Sequence, residues 1–139
     1  MSTRYSFVPD GDPVRPRDHA EAAAEAIRAL NHATIRSGDR AGYEWPSDVD
    51  AVIGNLQLLA EFLPQALRQA QDWLADQHVA GLVGHDTPGR KVGFAVGMVV
   101  GHLDDATTCA QALGSTLSKA HSESSHLTGV TDPVDGRDL

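Results

Sequence analysis

Two long stretches of this chain place apolar residues at alternating steps of three and four. Val49, Val52, Leu56, Leu59, Leu63, Ala66, Ala70 and Trp73 form the first series. Val92, Val96, Val99, Leu103, Ala106, Ala110, Leu113, Leu117 and Ala120 form the second and longer one. Such steps average 3.5 residues and gather apolar side chains on one side of a helix, so they predict two helices that pack along heptad seams. A third, shorter series runs through Ala20, Ala23, Ile27 and Leu30, in a segment rich in strong helix formers.

Local signals set the expected ends. Asp18, three residues before Glu21, resembles a capping box, and Gly38 is a natural stop, so helix is expected over about 19–37. Ser47 as N-cap, with Asp48 and Asp50 in the first turn, predicts a second helix over about 48–78. Pro64 lies inside it. Proline removes one backbone hydrogen bond and crowds the carbonyl a turn before, so a kink or short break is expected there. Thr87 followed by Pro88 fits an N-cap and first helical position, which predicts a third helix over about 88–122. The expected fold is all-α: an antiparallel three-helix bundle with a Pro-kinked middle helix over residues 18–122. A flexible N-terminal arm over 1–17 and a flexible C-terminal tail over 123–139 are expected to flank it, since both are polar and contain Pro or Gly.

Gly93, Gly97 and Gly101 disturb the third helix. Each glycine costs roughly 1 kcal/mol against alanine in a helix interior, and residues 92–100 also read as a β-strand. The unbroken heptad phase favours helix. A ridge of glycines then favours close approach of a neighbour, including a second copy of the chain.

Composition narrows the function classes. Aromatics make up only 5% of residues, so aliphatic side chains must fill the core, which favours packed helices over sheets. The formal net charge of -8 argues against nucleic acid as a partner, because duplex binding needs clustered Lys and Arg; the one adjacent basic pair is Arg90-Lys91. The single cysteine, Cys109, rules out an internal disulfide. No signal-peptide core is evident, and the longest apolar run is about half of what spans a bilayer. No membrane association is expected, and a cytoplasmic location is the default, with leaderless export left open.

Candidate chemistry is thin. His102, Asp105 and Cys109 share one side of a helix and are competent metal ligands, with His78 or His85 to complete a set, yet no established ligand spacing supports them. Cys109 with a histidine lacks the surroundings of a nucleophile. No catalytic residue and no cofactor are expected. Tyr43 and Trp45 are the most individual residues. Trp45 can staple the following helix, or the pair can contact a partner, as aromatics do at binding hot spots.

Three segments resemble uncharacterised small helical proteins of actinobacteria, which often lie near plasmid or integrative-element genes. They are Ala29-Leu30-Asn31-His32-Ala33-Thr34, Gly42-Tyr43-Glu44-Trp45-Pro46 and Leu63-Pro64-Gln65-Ala66-Leu67. The resemblance covers about residues 30–80 and implies no activity and no site residues. The Trp-x-Gly turn of small secreted helical hairpins is absent, since Trp45 is followed by Pro46 and Ser47.

The expected function is that of a non-enzymatic helical interaction or accessory protein that self-associates as a dimer, with a protein partner through Tyr43, Trp45, Gly93, Gly97 and Gly101, and with a mobile element as a source. The alternatives are a small regulator that binds nucleic acid or a small ligand, and a metal-binding helical protein through His102, Asp105 and Cys109.

Overall fold

A computed structural model describes residues 13–35 and 42–131. The chain is all-α, with α1 over Pro16–Ala33, α2 over Pro46–Val79 and α3 over Val92–Ser124. It forms two compact units, one through Glu44 and one from Trp45 onward. The expected Gly38 stop, most of the N-terminal arm and the tail from 132 lie outside the described residues.

Both α1 and α2 begin two to three residues earlier than expected, by the same local device. The sequence X-Pro-x-Asp occurs as Arg15-Pro16-Arg17-Asp18 and as Trp45-Pro46-Ser47-Asp48. Proline takes the first helical position, where its missing N–H is no loss. The aspartate two residues later accepts a hydrogen bond from the backbone N–H of the capping residue, at 3.1 Å for Asp18 and 2.9 Å for Asp48. The N–H of Arg15, with the Arg15 guanidinium near it, holds the Asp18 carboxyl below its usual pKa. Ser47 is therefore inside the helix rather than its cap. At the other end of α1, the Thr34 hydroxyl donates to the Leu30 carbonyl at 2.9 Å as the helix closes.

α2 ends in a Schellman motif. Leu82 N–H donates to the Gln77 carbonyl at 2.9 Å and Gly81 N–H to that of His78 at 3.0 Å, with Gly81 at φ +73°. α3 begins four residues later than expected, because Thr87-Pro88-Gly89-Arg90 forms a turn instead. Gly89 has φ +81° and Arg90 N–H points to the Thr87 carbonyl at 3.4 Å. Proline followed by a left-handed glycine is the type II signature, and it overrides the N-cap reading of Thr87.

α2 runs without a break through Pro64. It pairs with α3 as an antiparallel hairpin. Asp50 meets Ser124 at one end, Ala60 meets Gly114 at mid-length, and His78 lies against Gly93 at the other end. The seams keep the expected rhythm but not the expected line. On α2 the line nearest α3 is Asp50, Ile53, Gln57, Ala60, Pro64, Leu67, Gln71 and Leu74, each one residue after its expected counterpart, and Val52, Leu56, Leu59 and Leu63 of the expected line are half-buried beside it. On α3 the line runs Val96, Val100, Leu103, Thr107, Ala110, Gly114, Leu117, His121 and Ser124. Val96, Leu103, Ala110 and Leu117 are shared with the expected seam; the alternate positions have moved on by one. Small residues explain the shift. Ala60 and Pro64 against Ala110 and Gly114 let the two backbones approach where leucines would hold them apart.

At the end away from the connector, Trp45 lies directly on Gly129, in the segment after α3. A β-carbon at Gly129 would overlap the indole ring. The Gly129→Ala variant is expected to displace Trp45 and red-shift its fluorescence, read in a Trp73→Phe background. Because Trp45 is already half exposed, the stability cost should stay under about 1 kcal/mol. An unchanged spectrum would contradict this contact.

Candidate functional site

The hairpin has two unlike sides. Glu61 and Gln111, each one residue after a mid-seam alanine, lie on one side with Arg68, Ser118 and Lys119, around an open groove of about 550 Å³ floored by Ala60, Pro64, Ala110 and Gly114. Gln71 Nε2 donates to Asp104 Oδ1 at 3.0 Å on the same side. Gln71 Oε1 is buried with no hydrogen-bond partner. The groove mixes both signs of charge over a shallow floor, and nothing in it converges on one ligand chemistry.

The residues one position before the seam form the other side. At 100° per residue they face away from the groove. On α2 this stripe carries Leu56, Leu59, Leu63, Ala66 and Ala70, flanked by Phe62 and Trp73. On α3 it carries Val99, His102, Ala106, Cys109, Leu113 and Thr116, with Met98 on the outer edge of the helix. Phe62 is 69% exposed, Trp73 64%, Leu113 49% and Met98 46%. Among the described residues the buried apolar side chains are those of Ala60, Pro64, Val96 and Ala110, and no large side chain is fully buried. A broad apolar face beside so small a core is the most distinctive surface of the hairpin.

At one end Asp50 joins the helices. The Ser124 hydroxyl donates to Asp50 Oδ1 at 2.6 Å, and His121 Nε2 lies 3.4 Å from the same oxygen. These are the residue types of a hydrolase triad in the wrong order: the carboxylate, not the imidazole, sits between the other two, so no base is positioned on the hydroxyl. Ser124 is also buried. The cluster is a structural clasp.

The residues singled out from sequence are dispersed. Trp45 caps α2 and rests on Gly129, with Tyr43 two residues before it in the loop. A β-carbon placed on Gly97 or Gly101 would meet nothing within 4 Å, and one on Gly93 would face the His78 ring at 3.5 Å, so inside the hairpin the regular glycines are not the close-approach site. That role falls to Gly114, unmarked by any glycine spacing but legible as part of Ala110-x-x-x-Gly114 opposite Ala60-x-x-x-Pro64. Cys109 is exposed. His102, Asp105 and Cys109 do not come together, and among the described residues no three His, Cys, Asp or Glu side chains are grouped as a metal ion would need. His85 instead accepts from Thr87 N–H at 2.9 Å. No described helix is long and apolar enough to cross a membrane.

No family model matches the chain, and neither the curated proteins nor the solved structures include a significant match.

Proposed function

We propose that this is a non-enzymatic helical interaction protein that works by burying the apolar face of the α2–α3 hairpin, and that it self-associates through that face. The observation that carries this reading is the imbalance between core and surface. Among the described residues four small or medium apolar side chains are buried, Ala60, Pro64, Val96 and Ala110, while Phe62, Trp73, Met98 and Leu113 are exposed. Burying a large apolar side chain contributes about 1.5–3 kcal/mol, so a helix pair with this little core gains most by acquiring another helical layer.

Size-exclusion chromatography with light scattering tests the reading on the full chain. The expected mass at micromolar concentration is that of two chains. The double variant Phe62→Ser/Trp73→Ser should run as one chain with its helical circular dichroism retained, because both side chains are exposed and their loss leaves the helix pair intact. A wild-type protein that stays a single chain throughout the micromolar range overturns self-association.

A further inference from the structure

We propose that the junction between the connector and α3 is a proteolytic processing site, where an endoprotease selective for basic side chains hydrolyses the chain at the Arg90-Lys91 pair once the first turn of α3 has unwound. This goes beyond the self-association reading and does not depend on it.

α3 starts without the devices that begin the other two helices. α1 and α2 each place proline first and bond an aspartate back to the capping N–H. At the start of α3 the capping residue is Lys91, its side chain makes no capping bond, and the first turn contains no acidic residue. Arg90 and Lys91 instead bring two positive charges to the positive end of the helix dipole, where they disfavour the helix. Gly93, Gly97 and Gly101 then fall in the first three turns, and each weakens the helix against alanine. Packing does not require them. A β-carbon on Gly97 or Gly101 would meet nothing within 4 Å, and one on Gly93 would make an ordinary contact with the His78 ring at 3.5 Å. Over residues 92–103 the buried side chain is that of Val96.

Proteases cut where the backbone is exposed and can open locally. On the amino side, all of residues 80–91 are exposed except the half-buried Val83. The turn bond from Arg90 N–H to the Thr87 carbonyl is long, at 3.4 Å. On the carboxyl side, Val92, Gly93 and Phe94 must leave the helix, and Phe94 is already 64% exposed. This local opening leaves the seam beyond Val96 paired. Arg90-Lys91 is the chain's one adjacent basic pair, and it lies where the helix is weakest. The other basic residues of α2 and α3, Arg68 and Lys119, are inside helices. Cleavage after Arg90 adds one water across the amide and leaves a carboxylate on Arg90 and an ammonium on Lys91.

Limited digestion of the full chain with trypsin, mapped by mass spectrometry, provides the test. Within residues 45–131 the first cut is expected after Arg90 or Lys91. The Gly93→Ala/Gly97→Ala variant keeps the basic pair and should slow that cut about fivefold or more, because cleavage follows the population of the opened form. No cut there, a first cut after Arg68 or Lys119, or a double variant cut as fast as wild type overturns the proposal. Hydrogen exchange on the wild-type chain gives a reading that needs no variant. Amides of residues 96–101 should be less protected than those of residues 107–117. Equal protection overturns the weak start of α3 on which the site depends.

Discussion

Replacing Gly114 with leucine is expected to lower stability by about 1–3 kcal/mol, the usual cost of overpacking, whereas alanine at the same position should raise it by up to about 1 kcal/mol. The two outcomes differ because of what a side chain would meet there. A β-carbon at Gly114 comes to 3.5 Å from Glu61 Cγ, 3.7 Å from Ala60 Cβ and 3.9 Å from the Glu61 backbone nitrogen. Those are ordinary contacts, so a methyl group fits and the helix loses an entropically costly glycine. Anything longer must push into Ala60, which is 0% exposed, or into the α2 backbone beside it. Glu61 can swing aside; the backbone cannot. The helices would have to separate at mid-length, where a β-carbon on Gly114 already reaches Ala60 and the Glu61 backbone. Urea unfolding midpoints of the two variants check this, with opposite signs expected. Leucine as stable as alanine would mean that α2 and α3 are not this close at mid-length.

Asp50→Ala should cost nearly as much, about 1.5–2 kcal/mol, the lower part of the range for a hydrogen bond to a charged group because Asp50 keeps some solvent contact. The substitution leaves the Ser124 hydroxyl buried without its carboxylate acceptor, with only the His121 carbonyl at 3.2 Å to receive it. Removing both partners should hurt less than removing Asp50 alone, since Asp50→Ala/Ser124→Ala strands no buried polar group. A double-mutant cycle by urea unfolding reads the coupling. Simple additivity of the two single variants would show that the pair does not act as a clasp.

The helices are legible in the sequence because apolar periodicity reports on the whole width of a face. Their register is not, for the same reason. On α2 a face wide enough to include both Leu59 and Ala60 gives two parallel heptad lines one residue apart, and the leucine line has the stronger hydrophobic signal. Packing selects the weaker one, because backbone distance is set by volume and Ala60, Pro64, Ala110 and Gly114 permit the closer contact. The leucine line is thereby left half-buried at the edge of the seam. The helix starts depart from expectation in an instructive way: Ser47 is the better N-cap by residue type, but Pro46 is well suited to the first helical position and Asp48 reaches back to the Trp45 N–H, and these two together outweigh the hydroxyl. Pro88 resembles the same device; Gly89 after it supplies a left-handed turn, which a starting helix does not use. The candidate site is partly visible. Periodicity assigns Leu59, Leu63 and Leu113 alike to the core, whereas Leu59 and Leu63 are half-buried and Leu113 is exposed, a difference that no pattern in a single chain shows.

The placement of the clasp has a consequence for lifetime. An antiparallel helix pair joined by one connector unzips from its unjoined end, where nothing but local contacts resists separation. Here that end holds Asp50 with Ser124 and Trp45 on Gly129. Separation must therefore begin by breaking a charge-assisted bond before any apolar contact along the seam is released. Interactions broken on the way to the transition state slow unfolding more than they speed folding, so the terminal lock extends the residence time of the folded hairpin beyond what its small core alone would provide.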